Sequence, residues 1–387
     1  MTSKKDWGFS TRAIHVGQGP DPATGAVVQP IHLATTYAQQ GVGKHRGFEY
    51  SRSGNPTRAA LEENLAALEE AKHCLAFASG LGAESTLMLL LAPDDHVVYM
   101  EDVYGGTFRL FNKVMSRFGV NFTAVDATDI DAVEKAITPS TRMVWLESPT
   151  NPLLRVVDID AVSEVAHSHG AMVCVDNTFA TPYLQQPLHL GADVVVHSAT
   201  KYIGGHSDVV GGAIMTSDDE LEKRLRFHQN AVGAVPSPFD CWLLLRGIKT
   251  LALRVERQSE NAMTVAKALE SNRAVQRVNY PGLESHAGRA VAKRQMRLFG
   301  GMVSFEVKDE PTALRVLEKL EIFALAESLG AVESLAEHPA RMTHASIPEP
   351  ERKKAGVGDG LIRLSIGVED AADLVADLEH ALDVAIA

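Results

Sequence analysis

Between residues 55 and 217 the sequence alternates short apolar runs with stretches of helical periodicity. Leu61, Leu65 and Leu68, for example, recur at helical spacing. The predicted helices are 58–71 and 83–91, and the apolar runs are 74–78, 96–100, 143–146, 172–175 and 193–197. Short apolar strands separated by helices are typical of βαβ units, so this segment predicts an α/β domain with a buried, mostly parallel sheet.

The segments on either side of this region have a different character. Residues 1–47 contain glycine and proline with little periodicity, which predicts an extended N-terminal arm that contacts a neighbouring subunit. A helical stretch over 237–269 leads to a smaller α/β domain, with strands at 302–307 and 361–365, helices at 311–320 and 370–385, and a surface loop at 348–360. We therefore expect an arm of 1–47, a large domain of 48–236, and a linking helix with a small domain in 237–387.

Composition excludes several classes of partner and environment. The formal net charge of −12 argues against nucleic acid and against anionic membranes as main partners. The three cysteines lie far apart among apolar neighbours, which predicts buried free thiols in a reducing compartment. The sequence shows neither the apolar run of a signal peptide nor an uninterrupted membrane span. We expect a cytoplasmic protein.

A lysine and a carboxylate follow two of the predicted strands. Lys201 comes after the strand at 193–197 and is flanked by Ser198 and Thr200, and Asp176 ends the strand at 172–175 and is followed by Thr178. Pyridoxal phosphate (PLP) needs such a pair, because the lysine forms a Schiff base and the carboxylate keeps the pyridine nitrogen protonated, which makes the ring an electron sink. We therefore expect PLP, with the neighbouring hydroxyls on its phosphate.

A second phosphate-binding feature is the strand, glycine turn and helix around Ser79, Gly80, Leu81 and Gly82. The first turn of a helix has unpaired backbone N–H groups and the positive end of the helix dipole, which together favour an anion. The two glycines, with acids after the next strand, also imitate a dinucleotide-binding fingerprint of an oxidoreductase. That alternative lacks the third glycine, which is Ser85, and leaves the lysine and carboxylate without a role.

Ordered motifs along nearly the whole chain resemble those of the Cys/Met-metabolism PLP enzymes, the trans-sulfuration enzymes. They lie at 49–57, 78–81, 102–107, 147–152, 175–178, 198–202 and 363–367. The resemblance implies fold type I of the PLP-dependent transferases, the aspartate-aminotransferase-like fold, with a large domain around a mostly parallel sheet and a smaller C-terminal α/β domain. It also implies small amino-acid substrates and a homotetramer that is a dimer of active dimers.

The resemblance also implies a role for each site residue. Lys201 would hold the cofactor and shuttle protons, and Tyr104 would stack on the ring and exchange a proton. Arg363 would bind the substrate α-carboxylate with help from Asn151 and Ser328. The expected cofactor-binding residues are Tyr50 and Arg52 (at the phosphate of the adjacent subunit), Ser79, Gly80, Leu81, Tyr104, Asp176, Thr178, Ser198, Thr200 and Lys201.

The far end of the substrate pocket bears on the reaction. Glu327, and also Glu49, could attract the second ammonium group of a substrate such as cystathionine. The expected activity is that of a cystathionine γ-lyase, with cystathionine γ-synthase as the alternative. Methionine γ-lyase is remote, because Tyr104-Gly105-Gly106 lacks the cysteine that those enzymes typically carry there.

Two further possibilities are a non-enzymatic scaffold and a metal site. A non-enzymatic scaffold with this fold would be favoured if Lys201 or Asp176 were missing, and both are present. The histidines do not have the spacing of metal ligands together with an acid, so no metal is expected and they are predicted to be solvated or to support other residues. The histidines considered are His167, His169, His197 and His206.

Overall fold

The computed structural model describes residues 7–345 and 347–386, so the first six residues of the predicted arm lie outside it. Its strands are β1 His73–Phe77, β2 His96–Met100, β3 Asn121–Val125, β4 Thr141–Glu147, β5 Met172–Asp176, β6 Val194–His197, β7 Gly212–Thr216, β8 Val275–Asn279, β9 Met302–Val307, β10 Ala324–Leu325, β11 Leu335–Glu337 and β12 Leu361–Ser365.

The α-helices follow the same order along the described chain. They are α1 Phe9–His15, α2 Pro56–Glu69, α3 Gly80–Met88, α4 Gly105–Arg109, α5 Ile130–Ala136, α6 Ile159–Ser168, α7 Thr181–Leu184, α8 Asp219–Val232, α9 Pro238–Ile248, α10 Leu251–Glu270, α11 Arg289–Gln295, α12 Glu310–Lys319, α13 Glu349–Lys354 and α14 Ala371–Ile386. None of the helices in the described residues is long and apolar enough to cross a membrane.

The chain forms two compact units that are interleaved in sequence. The first unit comprises Met1–Leu90 and Asp193–Ala252, and the second comprises Leu91–Ala192 and Leu253–Ala387. Because the units are interleaved, each draws on two separate stretches of chain. The expected division into 1–47, 48–236 and 237–387 stays a prediction.

In the first unit, β1, β7 and β6 are adjacent in that order and pair antiparallel. The strands β6 and β7 are completely buried. Helix α9 lies very close to the chain that follows β6: a Cβ added at Gly247 would come within 2.3 Å of the Gly204 carbonyl oxygen. Only glycine permits this approach of one backbone to another.

In the second unit, β5, β4, β2 and β3 are adjacent in that order and all pair parallel. Every residue of β2 is buried, as expected for a parallel strand with both faces covered. A second sheet in this unit has the order β10-β11-β12-β9-β8, and α10, α12 and α14 contribute to its apolar core. These sheets confirm the predicted α/β fold with a mostly parallel sheet.

Several local predictions need correction. The helical stretch over 237–269 is two helices, α9 and α10, separated by Lys249 and Thr250. Part of the predicted loop at 348–360 is the helix α13, and the predicted arm contains the helix α1. Helix α13 has acidic residues in its first turn and basic residues in its last, an order that stabilises the helix dipole. The proline and glycine around it concealed that signal.

Candidate active site

The strand, turn and helix predicted around Ser79 are present in the first unit as β1 and α3. Ser79 is the N-cap of α3, and its Oγ accepts a hydrogen bond from the Gly82 N–H at 2.9 Å. A Cβ added at Gly80 would lie 3.0 Å from Cβ of Ser198, so the helix start and the residues after β6 are in close contact. A Cβ added at Gly212 would lie 2.1 Å from the Ser79 carbonyl oxygen. Glycines thus bring three backbone segments together around the first turn of α3.

Lys201 lies in a tight turn after β6 in this unit. Its N–H donates to the Ser198 carbonyl at 3.2 Å, its own carbonyl accepts from Gly205 at 2.8 Å, and the residue is half-buried. The neighbouring Thr200 hydroxyl donates to the Gly211 carbonyl and accepts from the Gly211 N–H, each at 3.1 Å. Its hydroxyl proton is therefore engaged with the protein, and phosphate binding by Thr200 stays a prediction.

Tyr50 and Arg52 lie on the exposed surface of the same unit. Tyr50 is 43% exposed, and the Arg52 guanidinium stacks 5.4 Å from the centre of its ring. Arg52 donates to the carbonyl of Asn230 at 2.6 Å. In the preceding segment, several apolar side chains are exposed, including Val27, Val28, Leu33 and Val42.

In the second unit, two buried carboxylates end neighbouring parallel strands. Glu147 is the last residue of β4 and Asp176 the last of β5, and the two are directly paired in register. Asp176 accepts a hydrogen bond from the Thr178 N–H at 2.9 Å, and Glu147 accepts one from the Tyr104 N–H, also at 2.9 Å. Glu147 therefore fixes the backbone of Tyr104, a role that the sequence did not suggest.

The two glycines after Tyr104 are required by packing. A Cβ at Gly106 would lie 2.3 Å from Cε1 of the Tyr104 ring, and a Cβ at Gly105 would lie 2.3 Å from the Thr343 carbonyl oxygen. The ring of Tyr104 thus lies directly over the backbone of the next helix, α4. This close packing restricts the orientation of the ring.

Arg363, Asn151 and Ser328, which were predicted to act together, are in contact. Nη1 of Arg363 donates to Asn151 Oδ1 at 2.8 Å, and Nη2 donates to the Ser328 carbonyl at 3.0 Å. The Glu337 carboxylate lies 2.9 Å from the same Nη1. Sequence reasoning missed Glu337, although an acid in the apolar strand at 335–337 is a signal that could have found it.

His344 holds Asn151 from the other side. Burial, and next the positive charge of Arg363, lower the pKa of His344 to about 4. The imidazole is therefore neutral near pH 7, and its Nε2 lies 3.1 Å from the Asn151 carbonyl oxygen, to which it donates. Asn151 is thus fixed at its backbone by His344 and at its side chain by Arg363.

The remaining predicted residues occupy different environments. Glu327 and Glu49 are exposed, and Glu327 directly precedes Ser328, whose φ is +104°. His197, which was expected to be solvated or to support other residues, is fully buried with Nε2 3.0 Å from the Glu69 carboxylate. The cysteines are buried free thiols, as predicted.

The acids after β2 that suggested a dinucleotide site are Glu101, which accepts a hydrogen bond from Arg155 Nη1 at 2.9 Å, and Asp102. Burial raises the pKa of Asp102 to about 7. Its carboxylate accepts a hydrogen bond from the Thr150 hydroxyl at 2.6 Å and lies 4.0 Å from Arg155 Nε. A carboxylate enclosed in this way does not face a ribose at a binding site, so the geometry does not favour the dinucleotide alternative.

Each unit, taken by itself, carries groups of the kind that PLP requires. The first supplies a lysine amine, hydroxyls and a glycine-lined helix start, which suit an aldehyde and a phosphate. The second supplies a buried carboxylate suited to a pyridinium nitrogen and an aromatic ring packed closely on the backbone. These features define a class, the PLP-dependent enzymes of an α/β fold.

Comparison with known proteins identifies the family. The profile of the Cys/Met metabolism PLP-dependent enzymes matches residues 10–383. The chain is 57% identical to cystathionine gamma-synthase of Mycobacterium tuberculosis and 55% identical to cystathionine beta-lyase of Coxiella burnetii, with 97% of each chain covered in both alignments. The crystal structure of cystathionine gamma-lyase from Lactobacillus plantarum in complex with L-serine is 47% identical, with a TM-score of 0.95 over 97% of this chain and 99% of that one.

The protein therefore belongs to the Cys/Met metabolism family of PLP-dependent enzymes, and the predicted family and cofactor are confirmed. It is a PLP-dependent enzyme of carbon–sulfur bond chemistry in the trans-sulfuration group. The dinucleotide and scaffold alternatives are thereby excluded. The relatives have three different names, cystathionine beta-lyase, gamma-synthase and gamma-lyase, so the family does not specify the particular reaction.

Proposed function

We propose that the protein is a cystathionine γ-lyase, which converts L-cystathionine and water into L-cysteine, 2-oxobutanoate and ammonia. The observation that supports this most directly is the position of Glu327. It directly precedes Ser328, whose carbonyl accepts a hydrogen bond from Arg363. An acid beside a carboxylate-binding arginine suits a substrate with an α-carboxylate and a second ammonium group.

Each site residue acts on a defined part of the substrate. Arg363 binds the α-carboxylate, with Asn151 and the Ser328 carbonyl orienting its guanidinium. When bound, PLP supplies the electron sink that stabilises negative charge on the substrate carbons. The Lys201 amine removes a proton at Cα and then moves protons at Cβ, and the Tyr104 hydroxyl gives a proton to the departing sulfur.

The cofactor-binding groups are also proposals. Asp176, which the Thr178 N–H orients, pairs with the pyridine nitrogen. Ser79, the backbone N–H groups of Gly80 and Leu81, Ser198 and Thr200 hold the phosphate. A planar guanidinium is well suited to phosphate, and Arg52 supplies one, together with Tyr50, to the adjacent subunit.

The reaction can be tested through its products. With L-cystathionine, the purified enzyme is expected to release 2-oxobutanoate and cysteine, which shows cleavage at Cγ. Release of pyruvate and homocysteine would instead show β-cleavage and contradict the proposal.

Lys201→Ala should lower kcat by about 100- to 10,000-fold or more, because the only proposed base is lost. Turnover near the wild-type rate in that variant, with cofactor bound, would contradict the role of Lys201.

Cystathionine γ-synthase is the second candidate, supported by the 57% identity to a mycobacterial relative of that name. It forms cystathionine from an O-acyl-L-homoserine and L-cysteine, with loss of the acyl acid. The two candidates are separated by comparing kcat/KM for this replacement with kcat/KM for cystathionine cleavage in the same preparation. A replacement value well above the cleavage value favours the synthase.

Glu327 is proposed to select substrates that carry a distal ammonium, with Glu49 as a second acid. Glu327→Gln keeps the size of the side chain and removes its charge. It should lower kcat/KM for cystathionine by about ten- to a hundredfold, and change the value for an O-acyl-homoserine much less.

Two variants serve as controls for Glu327. Arg363→Ala should damage turnover of both substrates alike, since both have an α-carboxylate. Glu321→Gln changes an exposed acid of the same region and should leave both values unchanged. If Glu327→Gln lowers kcat/KM equally for both substrates, Glu327 does not recognise the distal ammonium.

We also propose a homotetramer, a dimer of dimers in which Tyr50 and Arg52 complete the neighbour's site. The exposed apolar arm supports this, because Val27, Leu33 and Val42 are 76%, 69% and 104% exposed in the single chain.

Equal mixing of Arg52→Ala and Lys201→Ala subunits should restore about a quarter of wild-type activity. Random pairing makes half of the dimers hybrid, and each hybrid has one intact site of two. Exchange of subunits without any recovered activity would refute the shared site.

A further inference from the structure

Arg363 is a buried cation paired with a carboxylate on the neighbouring strand. It lies on β12 directly opposite Glu337 on β11. Nη1 lies 2.9 Å from Glu337 Oε1, and the two side chains are only 2% and 1% exposed. A charge removed from water to this degree is stable only beside an opposite charge, with hydrogen bonds to its other donors.

The acceptors around the guanidinium fix its plane. Asn151 Oδ1 shares Nη1 with Glu337, and the Ser328 carbonyl accepts from Nη2. Nε has no hydrogen-bond partner within the described chain. Because a guanidinium is planar, acceptors at both terminal nitrogens determine the direction in which the remaining donors point.

Glu337 is itself held in place. Its Oε1 accepts a hydrogen bond from the Thr343 hydroxyl at 2.8 Å. The carbonyl of Thr343 is the atom that a Cβ at Gly105 would meet at 2.3 Å. One short segment therefore contacts both the partner of Arg363 and the helix start that follows Tyr104.

We propose that Glu337 is a positioning residue. Its carboxylate is the internal counter-ion of Arg363 while no substrate is present, and it holds the guanidinium in the orientation that receives the substrate α-carboxylate. The inference rests on the proposed function, because it takes Arg363 as the carboxylate-binding group. Two effects of Glu337 then oppose each other: its accepting oxygen orients Arg363, whereas its negative charge repels the incoming carboxylate.

Substitution separates the two effects. Glu337→Gln keeps an accepting oxygen and removes the charge, and Glu337→Ala removes both. The probes are L-norvaline, which has an α-carboxylate and no γ leaving group, and 1-butylamine, the same molecule without the carboxylate. Binding of each to the holoenzyme is measured by titration of the cofactor absorbance, which does not require turnover.

Glu337→Ala should weaken norvaline binding by about 10- to 100-fold, because the guanidinium loses its orientation, and should change butylamine binding by less than about threefold. Glu337→Gln should bind norvaline as tightly as the wild type or up to about tenfold more tightly. In Glu337→Ala, KM for cystathionine should rise more than kcat falls. The matched control is Glu306→Ala, which breaks a 3.3 Å ion pair with the exposed Arg277 in the same sheet. It should change the binding affinity of neither ligand.

The outcomes distinguish a positioning role from a structural one. The proposed role of Glu337 is overturned if Glu337→Ala weakens the binding of both ligands equally. It is also overturned if Glu337→Gln weakens the binding of norvaline. Thr343→Val keeps the ion pair and removes the donor to Glu337, so it decides the question if Glu337→Ala does not fold. Thr343→Val should weaken norvaline binding by about three- to tenfold and leave butylamine binding unchanged. An unchanged affinity for norvaline overturns the proposal.

Failure of the proposed function gives a different result. If Arg363 is the carboxylate-binding group, the wild type prefers norvaline to butylamine and Arg363→Ala loses that preference. If Arg363→Ala retains the preference, both the assignment of Arg363 and the inference built on it are wrong. If Arg363→Ala loses the preference for norvaline but the Glu337 variants do not give the expected affinities, only the proposed role of Glu337 is wrong.

Discussion

Burial of parallel strands on both faces is the constraint on which the rest of this structure depends. A strand such as β2, buried along its whole length, can present polar groups only where it ends. Glu147 and Asp176 are the last residues of β4 and β5, side by side in register. One of these carboxylates, that of Glu147, accepts a hydrogen bond from the backbone N–H of Tyr104. The ring of Tyr104 is the one proposed to stack on the cofactor. Among the parallel strands, the polar groups of the site are therefore concentrated where the strands end.

Buried charges are the second constraint on the site. Arg363 has oxygen partners at both terminal nitrogens, from Glu337, Asn151 and Ser328, and is nearly inaccessible. Such an arrangement is costly to desolvate and strongly destabilised when one partner is removed. It is rigid for the same reason, and rigidity is what an orienting group for a substrate carboxylate requires. The neutral His344 adds to that rigidity by holding the Asn151 backbone.

The sequence predicted the parts of the structure whose signals are local. Apolar runs predicted the buried strands β2, β5, β6 and β12 closely. The site roles of Lys201 and Asp176, inferred from residue chemistry after two of these strands, stay predictions. The edge strand β3 was missed because it is mostly exposed and lacks an apolar pattern.

Contacts between distant residues could not be predicted in the same way. The pairing of Glu337 with Arg363 depends on the register of β11 and β12. The hydrogen bond from Tyr104 to Glu147 joins residues that are 43 positions apart. Neither contact leaves a local pattern in the chain, since each is set by the tertiary fold.

The most direct test of the account is the covalent position of the cofactor. Borohydride reduction of the holoenzyme converts the linkage between lysine and PLP into a stable amine, and mass spectrometry of proteolytic peptides then locates the pyridoxyl phosphate group. The account predicts this group on Lys201, in the peptide that follows β6. Its presence on another lysine, or on none, would contradict the proposed active site.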